Sequence, residues 1–148
     1  MFSPRILRLM IAAGLLATGG VRAESPVVAG DYSIYYSTVN AEALDPEIAA
    51  LHGILRSRLS GLLNVTVVKR QADGRGQNVP ARVEATARSG SGPVSYIPMR
   101  EIRVGEGISY IGQFPIEDLQ IVDFAIQVTP PGGAEPSAIE LREQFFID

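Results

Sequence analysis

Apolar and polar residues alternate along several short stretches of this chain, most clearly in Val79–Ala87, V-P-A-R-V-E-A-T-A. Because successive side chains of a β-strand point to opposite faces of a sheet, this alternation predicts a strand with one dry face and one wet face. The dry face carries two valines and three alanines, so packing at the density of a protein interior requires bulk from elsewhere. We expect the opposite sheet to supply that bulk through Tyr110, Phe114, Phe124 and Phe145.

The same alternation recurs between turns rich in glycine and proline, and it predicts six further strands. Proline cannot donate to a β-ladder, so Pro98 predicts a break or kink at a sheet edge or bulge. The turn residues Asp73-Gly74 predict a hairpin loop over Gln71–Asn78. The six strands are Gly30–Val39, Leu62–Lys69, Val94–Arg103, Ile108–Phe114, Leu119–Thr129 and Ala138–Ile147.

One short helix is predicted after the first strand. Asp45 is suited to cap the free amides of its first turn, and Pro46 fits the first helical position. The helix either ends at Gly53 or continues to Gly61. Four apolar residues at helical spacing would cover the sheet: Leu44, Ile48, Leu51 and Leu55.

About seven strands at short spacing, with one inserted helix, favour an all-β, immunoglobulin-like antiparallel sandwich. A small closed barrel is the alternative, because the same alternation serves both architectures. We expect a single domain over residues 30–148, preceded by a tether at residues 24–29.

The first 23 residues are typical of an export signal. Arg5 and Arg8 form a basic start, Leu9–Ala17 is an uncharged apolar run, and Val21-Arg22-Ala23 places small residues where a signal peptidase cuts. A membrane span needs about 20 apolar residues, roughly twice this run. The sequence therefore predicts cleavage after about Ala23, a periplasmic protein, and no membrane span in the mature chain.

Composition narrows the function classes further. The chain has 13 basic and 16 acidic residues, and cleavage would remove three arginines, so the formal charge moves from −3 to −6. Scattered acidic charge argues against nucleic acid or an anionic membrane as a partner. The absence of cysteine excludes disulfides, thiol catalysis and thiolate metal sites.

A metal site is not indicated. His52 is the only histidine, and Met99 is the only methionine outside the signal. A single imidazole makes a poor zinc or copper site, so we expect His52 to be a helix residue and expect no cofactor.

Catalytic groups are equally sparse. Glu117, Asp118 and Asp123 form the densest acidic cluster, and a carboxylate pair is the one enzyme hypothesis that the residues leave open. Solvated loop acids are the simpler interpretation, and we expect a non-enzymatic protein. Asn64-Val65-Thr66 matches a glycosylation sequon but lies in a predicted strand, so we attribute it to chance.

A candidate ligand or partner surface is formed by polar groups in strand-like surroundings. Tyr35 and Tyr36, near Asp31, would line a groove or pack under the helix. Six residues would form cross-strand ion pairs on one outer face: Arg82, Glu84, Arg88, Arg100, Glu101 and Arg103. The candidate surface comprises His52, Tyr35, Tyr36, Asp31, Arg100 and Glu101.

A succession of short motifs runs through the chain: Gly30-Asp31-Tyr32, Leu44-Asp45-Pro46-Glu47, Gly53-Ile54, Arg56-Ser57, Asn64-Val65-Thr66-Val67, Met99-Arg100-Glu101-Ile102, Tyr110-Ile111, Phe114-Pro115 and Phe145-Phe146. Their order resembles a family of small exported proteins of Gram-negative bacteria, known only as a domain of unknown function. The resemblance covers Gly30–Phe146 and implies a periplasmic, single-domain protein. It carries no activity, cofactor or catalytic residue. The layout is also similar to periplasmic immunoglobulin-like domains of oxidase-assembly and copper-handling proteins, whose His/Met/Cys clusters this chain lacks.

Two functions follow as hypotheses. The first is a non-enzymatic periplasmic binding or assembly module for another envelope protein, because exposed edge strands are natural sites for peptide addition. The second is a small-ligand or metal carrier with its pocket near His52, Tyr35 and Tyr36.

Overall fold

The structure is a computed structural model that describes residues 25–132 and 135–147. The predicted export signal lies outside these residues. One helix, α1 (Pro46–Leu51), follows a 3₁₀ turn at Ala41–Ala43. Ten strands complete the described fold: β1 (Val27–Ala29), β2 (Tyr32–Asn40), β3 (Ser60–Arg70), β4 (Gly76–Asn78), β5 (Arg82–Ser89), β6 (Val94–Ile97), β7 (Arg100–Val104), β8 (Gly107–Pro115), β9 (Ile121–Thr129) and β10 (Ser137–Gln144).

The strands form two antiparallel sheets that pack as a sandwich. One has six strands in the order β1-β2-β3-β8-β7, with β4 also paired to β3. The other has four strands in the order β10-β9-β5-β6. This architecture confirms the predicted all-β sandwich with one short helix.

The predicted strands correspond to observed ones, with two additions. The loop predicted over Gln71–Asn78 ends in β4, and the segment predicted as a tether contains β1, which pairs with β2 from Val27↔Ile34 to Ala29↔Tyr32. Three-residue strands are too short for alternation to reveal them.

The strand predicted over Val79–Ala87 is β5, which begins three residues later. Its inward face is as predicted: Ala85 is 1% exposed, Val83 is buried, and Ala87 is half-buried against the main core. Tyr110 and Phe114 of β8 supply bulk from the opposite sheet.

Three phenylalanines fill the middle of the core in edge-to-face contact. Phe114 lies 4.9 Å from Phe124 and 5.4 Å from Phe145, between ring centroids. Only Phe114 comes from the six-stranded sheet. Phe124 lies on β9, directly opposite Ala87 in the register, and Phe145 follows β10, so these two rings belong to the same sheet as the alanines. The prediction that all four aromatics come from the opposite sheet is therefore wrong for two of them.

The break predicted at Pro98 carries the chain from one sheet to the other. The stretch predicted as one strand is β6, at the edge of the four-stranded sheet, followed by β7, at the edge of the six-stranded sheet. Gly112 of β8 lies under this crossover. A Cβ added there would come 2.5 Å from Ile97 Cγ2 and 2.5 Å from Met99 Sδ, so only glycine fits without a shift.

Helix α1 begins as predicted and ends at Leu51 with His52 as its C-cap, which agrees with the shorter of the two predicted helices, the one that ends at Gly53. Asp45 Oδ1 accepts from the backbone N–H of Glu47 at 2.8 Å, and Pro46 is the first helical residue. The helix stops before Gly53, whose φ is +66°. Six residues are too few for the predicted apolar stripe: Leu44 is buried, whereas Leu51 and Leu55 are more than 70% exposed.

The segment around α1 covers part of the outer face of the six-stranded sheet. A second, smaller apolar cluster lies there, separate from the main core. It joins residues of the helical segment to outward-facing residues of β3, β7 and β8: Ala41, Leu44, Ala49, Ile54, Leu62, Ile102 and Ile111.

Candidate functional site

Strand β6 is an edge strand that pairs only with β5 in the described fold. Its outward side chains are apolar and exposed: Val94 is 61% and Tyr96 is 66% accessible to solvent. Ile97, on the opposite face, is buried in the main core. Unpaired edges offer main-chain hydrogen bonds to another chain, and proteins usually protect them with charges or bulges.

The other strands that end the two sheets are better protected or shorter. β7 carries Arg100, Glu101 and Arg103, and β10 carries charged residues along its length. β1 has three residues, the last of which leads into the turn at Gly30. β6 therefore combines an uncharged sequence with a four-residue edge whose side away from β5 has no strand partner in the described fold.

A cavity of about 210 Å³, partly open to solvent, lies beside β6 at the edge of the sandwich where the two sheets meet. None of the described residues that line it carries a charge. The lining is mostly small or apolar, and it includes Ala87, Ser95, Tyr96, Ile97, Phe114, Pro115 and Val122. The short inward side chains of Ala87 and Ser95 leave this space, because they stand directly opposite one another in the register of β5 and β6.

Hydrogen bonds hold the loop that closes this end of the sandwich. The backbone N–H of Gly92 donates to the carbonyl of Ser89 at 2.9 Å. Gln120 Nε2 donates to Ser89 Oγ at 2.7 Å. The β5–β6 hairpin is thus tied to the loop before β9, which fixes one wall of the cavity.

The structure separates the two predicted tyrosines. Tyr36 faces inward, half-buried against the main core, whereas Tyr35 lies on the outer face of β2 and is 41% exposed. Tyr35 lies opposite Thr66, whose hydroxyl is 3.2 Å from the hydroxyl of Ser109. Neither tyrosine belongs to the apolar cluster that packs under α1.

Asp31 lies in the turn between β1 and β2. Its carbonyl accepts the N–H of Arg70 at 2.7 Å, and it lines an open hollow of about 480 Å³ together with Lys69 and Gln77. Lys69 Nζ lies 5.9 Å from the ring centre of Tyr32. This hollow opens beside the β3–β4 hairpin, away from the cavity at β6.

His52 and Arg100 are brought together by a main-chain contact. His52 forms the C-cap of α1, and its carbonyl accepts from Arg100 Nη2 at 2.6 Å. Arg100 thereby ties the end of the helix to the edge of the six-stranded sheet. Glu101 instead pairs with Arg103 two residues away on β7, at 2.6 Å.

The predicted cross-strand ion pairs on a single outer face do not form. Arg82 and Glu84 lie on β5 and pair within that strand at 2.9 Å, as Glu101 and Arg103 do within β7. β5 and β7 belong to different sheets, so these pairs cannot share a face. Local alternation shows which residues point outward, but it does not assign strands to sheets.

Each acid of the Glu117/Asp118/Asp123 cluster has a structural role or faces solvent. Asp118 Oδ1 accepts the N–H of Ile147 at 2.8 Å. Asp123 accepts two hydrogen bonds from Arg142, at 2.7 and 3.1 Å. The hydrogen bond from Arg142 lowers the pKa of Asp123, partly opposed by desolvation, and the charges of Arg142 and Arg88 lower this pKa further. The same hydrogen bond raises the pKa of Arg142.

Asn64, the first residue of the sequon, is only 8% exposed and lies within β3. Its Oδ1 has no hydrogen-bond partner among the described residues. Burial in a central strand agrees with the interpretation of this motif as chance.

Two findings concern membranes and metals. In the part of the chain that the structure describes, no helix is long and apolar enough to cross a membrane. Within the same residues, no group of three or more His, Cys, Asp or Glu side chains is placed to hold a metal ion.

The fold and its exposed edge define a small all-β sandwich protein in which β6 is an uncharged edge strand of four residues. The chain belongs to the family described as Domain of unknown function (DUF4426), whose model matches residues 27–148. This match confirms the resemblance inferred from the order of the sequence motifs. None of the curated proteins matches the sequence.

Several solved structures share the fold. A DUF4426 family protein from Pseudomonas aeruginosa PAO1 is similar with a TM-score of 0.72 and 25% identity, over 88% of this chain and 98% of that chain. FetP of uropathogenic Escherichia coli strain F11, expressed recombinantly in the periplasm of E. coli, is similar with a TM-score of 0.60 and 10% identity. The similarity covers 87% of this chain and 98% of the FetP chain. A copper-bound variant of that FetP is similar with a TM-score of 0.61 and 11% identity, over 86% of this chain and 99% of the variant chain.

The residues of the β6 edge were not singled out from the sequence. Alternation places Val94 and Tyr96 on one face of their strand. It does not show that this strand lies at a sheet edge, which follows from the transfer of the chain to the other sheet at Pro98. The one available signal was the small inward face of β5, which anticipates unfilled space near Ala87.

Proposed function

We propose that this protein is a non-enzymatic periplasmic module that binds another envelope protein through the free edge of β6. The observation that carries this proposal is the combination of an uncharged, unpaired edge strand with an uncharged cavity directly beside it. A binding module needs such a surface. The acids of the densest cluster instead make structural contacts, as Asp123 does with Arg142, or face solvent, as Glu117 does.

Strand addition is the mode of binding that this edge supports. An extended segment that pairs with β6 would continue the order β10-β9-β5-β6 by one strand. Its main chain would provide hydrogen bonds that do not depend on sequence, and its alternate side chains would provide specificity. Val94 and Tyr96 would add apolar contact on the outer face, because both are already exposed beside that edge.

At β6, the size of the cavity favours a side chain of a protein partner over a small-molecule cargo. Pockets for small ligands usually hold about 300–1,000 Å³. The cavity at β6 holds about 210 Å³, which suits one side chain of an incoming segment.

Two observations support a periplasmic location. Residues 1–23 have the tripartite pattern of an export signal. The similar FetP was expressed in the periplasm of E. coli. An envelope protein is then the partner class that the module would encounter.

The experiment compares two lysine variants in capture from periplasmic extract of the source bacterium. Tyr96→Lys places a charge on the β6 edge, and Val104→Lys places the same charge on β7 at a similarly exposed position (66% and 63%). We expect one protein to be captured by the wild type and by Val104→Lys but lost with Tyr96→Lys. Equal capture by all three forms, or no specific protein with any of them, would contradict the proposal.

A metal or small-ligand carrier is the second candidate, favoured by the copper-bound variant of FetP. The donor set of this chain does not fit that chemistry well. His52 lies over the outer face of the six-stranded sheet, whereas Met99 packs against the main core on the other face. Calorimetry with Cu²⁺ on the wild type and on His52→Ala distinguishes the candidates: tight binding that the substitution abolishes favours the carrier, and identical null titrations contradict it.

A further inference from the structure

We infer that the cavity at Ala87 selects one side chain of the bound segment: an uncharged apolar side chain of about the size of leucine or phenylalanine. This inference rests on the proposed function. It names the feature by which the β6 edge distinguishes one extended segment from another.

Strand geometry places a side chain of the segment at the cavity. Ser95 and Ile97 share the inward face of β6, and Ser95 lines the cavity. In an antiparallel addition, residues opposite each other across the ladder point to the same face of the sheet. A residue of the segment opposite Ser95 would therefore also point inward, towards the space above Ala87.

The cavity surroundings define what this side chain can be. The cavity is partly open to solvent, and its volume of about 210 Å³ is enough for a six-membered ring or a branched aliphatic side chain. Phe114 and Val122 provide apolar walls. A charged side chain would lose its hydration without a charged partner, because the described lining carries none.

Two polar residues of the cavity lining, Ser89 and Gln113, already have hydrogen-bond partners. Ser89 Oγ already accepts a hydrogen bond from Gln120 Nε2 at 2.7 Å. Gln113 Nε2 already donates to the carbonyl of Leu55 at 2.7 Å and lies 2.9 Å from Ser60 Oγ.

Ala87 is the residue that sets the size of the selected side chain. It is half-buried and lines the cavity, whereas Ala85, two residues earlier on the same face, is 1% exposed and does not. Leucine at position 87 would extend into the cavity and occupy the volume that the partner would otherwise fill. Valine at position 87 would occupy part of it and serves as a milder variant.

The test is a selection from a displayed library of random extended peptides, carried out on the wild type, Ala87→Leu, Ala87→Val and Tyr96→Lys. We expect wild-type peptides to share leucine, phenylalanine or methionine at one position. Ala87→Leu should instead select alanine, serine or glycine there, with Ala87→Val intermediate. A synthetic wild-type peptide should bind Ala87→Leu about 10- to 100-fold more weakly, the equivalent of one buried apolar side chain.

A second measurement tests the cavity without any peptide. Benzene added to ¹³C-labelled wild type should shift the methyl signals of Ala87 and Val122, and Ala87→Leu should abolish the response of Val122. No benzene-dependent shift in the wild type would overturn the inference.

The outcomes of the selection separate the inference from the proposed function. Peptides that depend on Tyr96 but show no apolar preference, or the same preference in Ala87→Leu, overturn the inference and leave strand addition intact. If no peptide is enriched, or if Tyr96→Lys enriches the same peptides as the wild type, the proposed function fails and the inference fails with it.

Discussion

Gly112 lies directly beneath Ile97, so close that a Cβ on the glycine would come within 2.5 Å of Ile97 Cγ2. This contact joins β8 of one sheet to the last residue of β6 in the other. The close approach lets the chain cross between the sheets at Pro98, and the crossover leaves β6 as a free edge. The geometry of the candidate site thus depends on the absence of a single methyl group.

Gly112→Ala should therefore destabilise the protein by about 1–3 kcal/mol, because the added methyl group overpacks the crossover. The free energy of unfolding in urea measures the effect. Ala125→Ser, on the exposed outer face of β9, is the control and should change stability by less than about 0.5 kcal/mol. If Gly112→Ala is as stable as this control, the crossover is not packed as described.

Two alanines on the same face of β5 should respond differently to enlargement. Ala85 is enclosed in the core, so Ala85→Phe should destabilise by about 1–3 kcal/mol. Ala87 borders the cavity, so Ala87→Leu should leave stability unchanged or raise it by about 0.5–2 kcal/mol, as cavity-filling substitutions commonly do. Thermal unfolding of both variants provides the comparison. An unchanged melting temperature for Ala85→Phe would mean that the inward face of β5 is misassigned.

The ion pair between Asp123 and Arg142 predicts a pH dependence of stability. Arg142 lowers the pKa of Asp123 in the folded state below its ordinary value of about 3.9. The ion pair therefore contributes its full stabilisation of the fold above the ordinary pKa of an aspartate. This contribution is lost as the pH falls through the lower pKa that Asp123 has in the folded state. Asp123→Asn should unfold with a shallower dependence on pH between about pH 5 and pH 2.

The control for this pH series is Glu106→Gln, an exposed residue in the turn between β7 and β8. It should retain the wild-type pH dependence. Identical acid unfolding of the wild type and Asp123→Asn would show that the pair does not stabilise the fold.

Local patterns in the sequence were sufficient for much of the fold. Alternation located most of the strands and identified the inward face of β5, because side-chain direction in a strand is a local property. Asp45-Pro46 marked the start of α1, since capping involves only neighbouring residues. The predicted apolar stripe was too long: the spacing of Leu51 and Leu55 is helical, but the helix ends before Gly53 and both side chains are exposed.

Features that depend on distant contacts were not predictable. Pro98 indicated a break, but the transfer of the chain to the other sheet depends on the close approach of Gly112, which is remote in sequence. The pairing of Glu101 with Arg103 rather than across strands follows from sheet assignment, which alternation does not reveal. The six residues predicted as one surface are dispersed for the same reason, although a hydrogen bond joins Arg100 to the carbonyl of His52.

The most direct test of the account is site-specific photo-crosslinking in cells of the source bacterium. A photoreactive phenylalanine analogue replaces Tyr96 on β6 in one strain and Val104 on β7 in another, positions of similar exposure. We expect a crosslink from position 96 to one envelope protein, through an extended segment of it, and no such crosslink from position 104. A crosslink of equal strength to the same protein from both positions, or none from position 96, would contradict the claim that β6 is the binding edge.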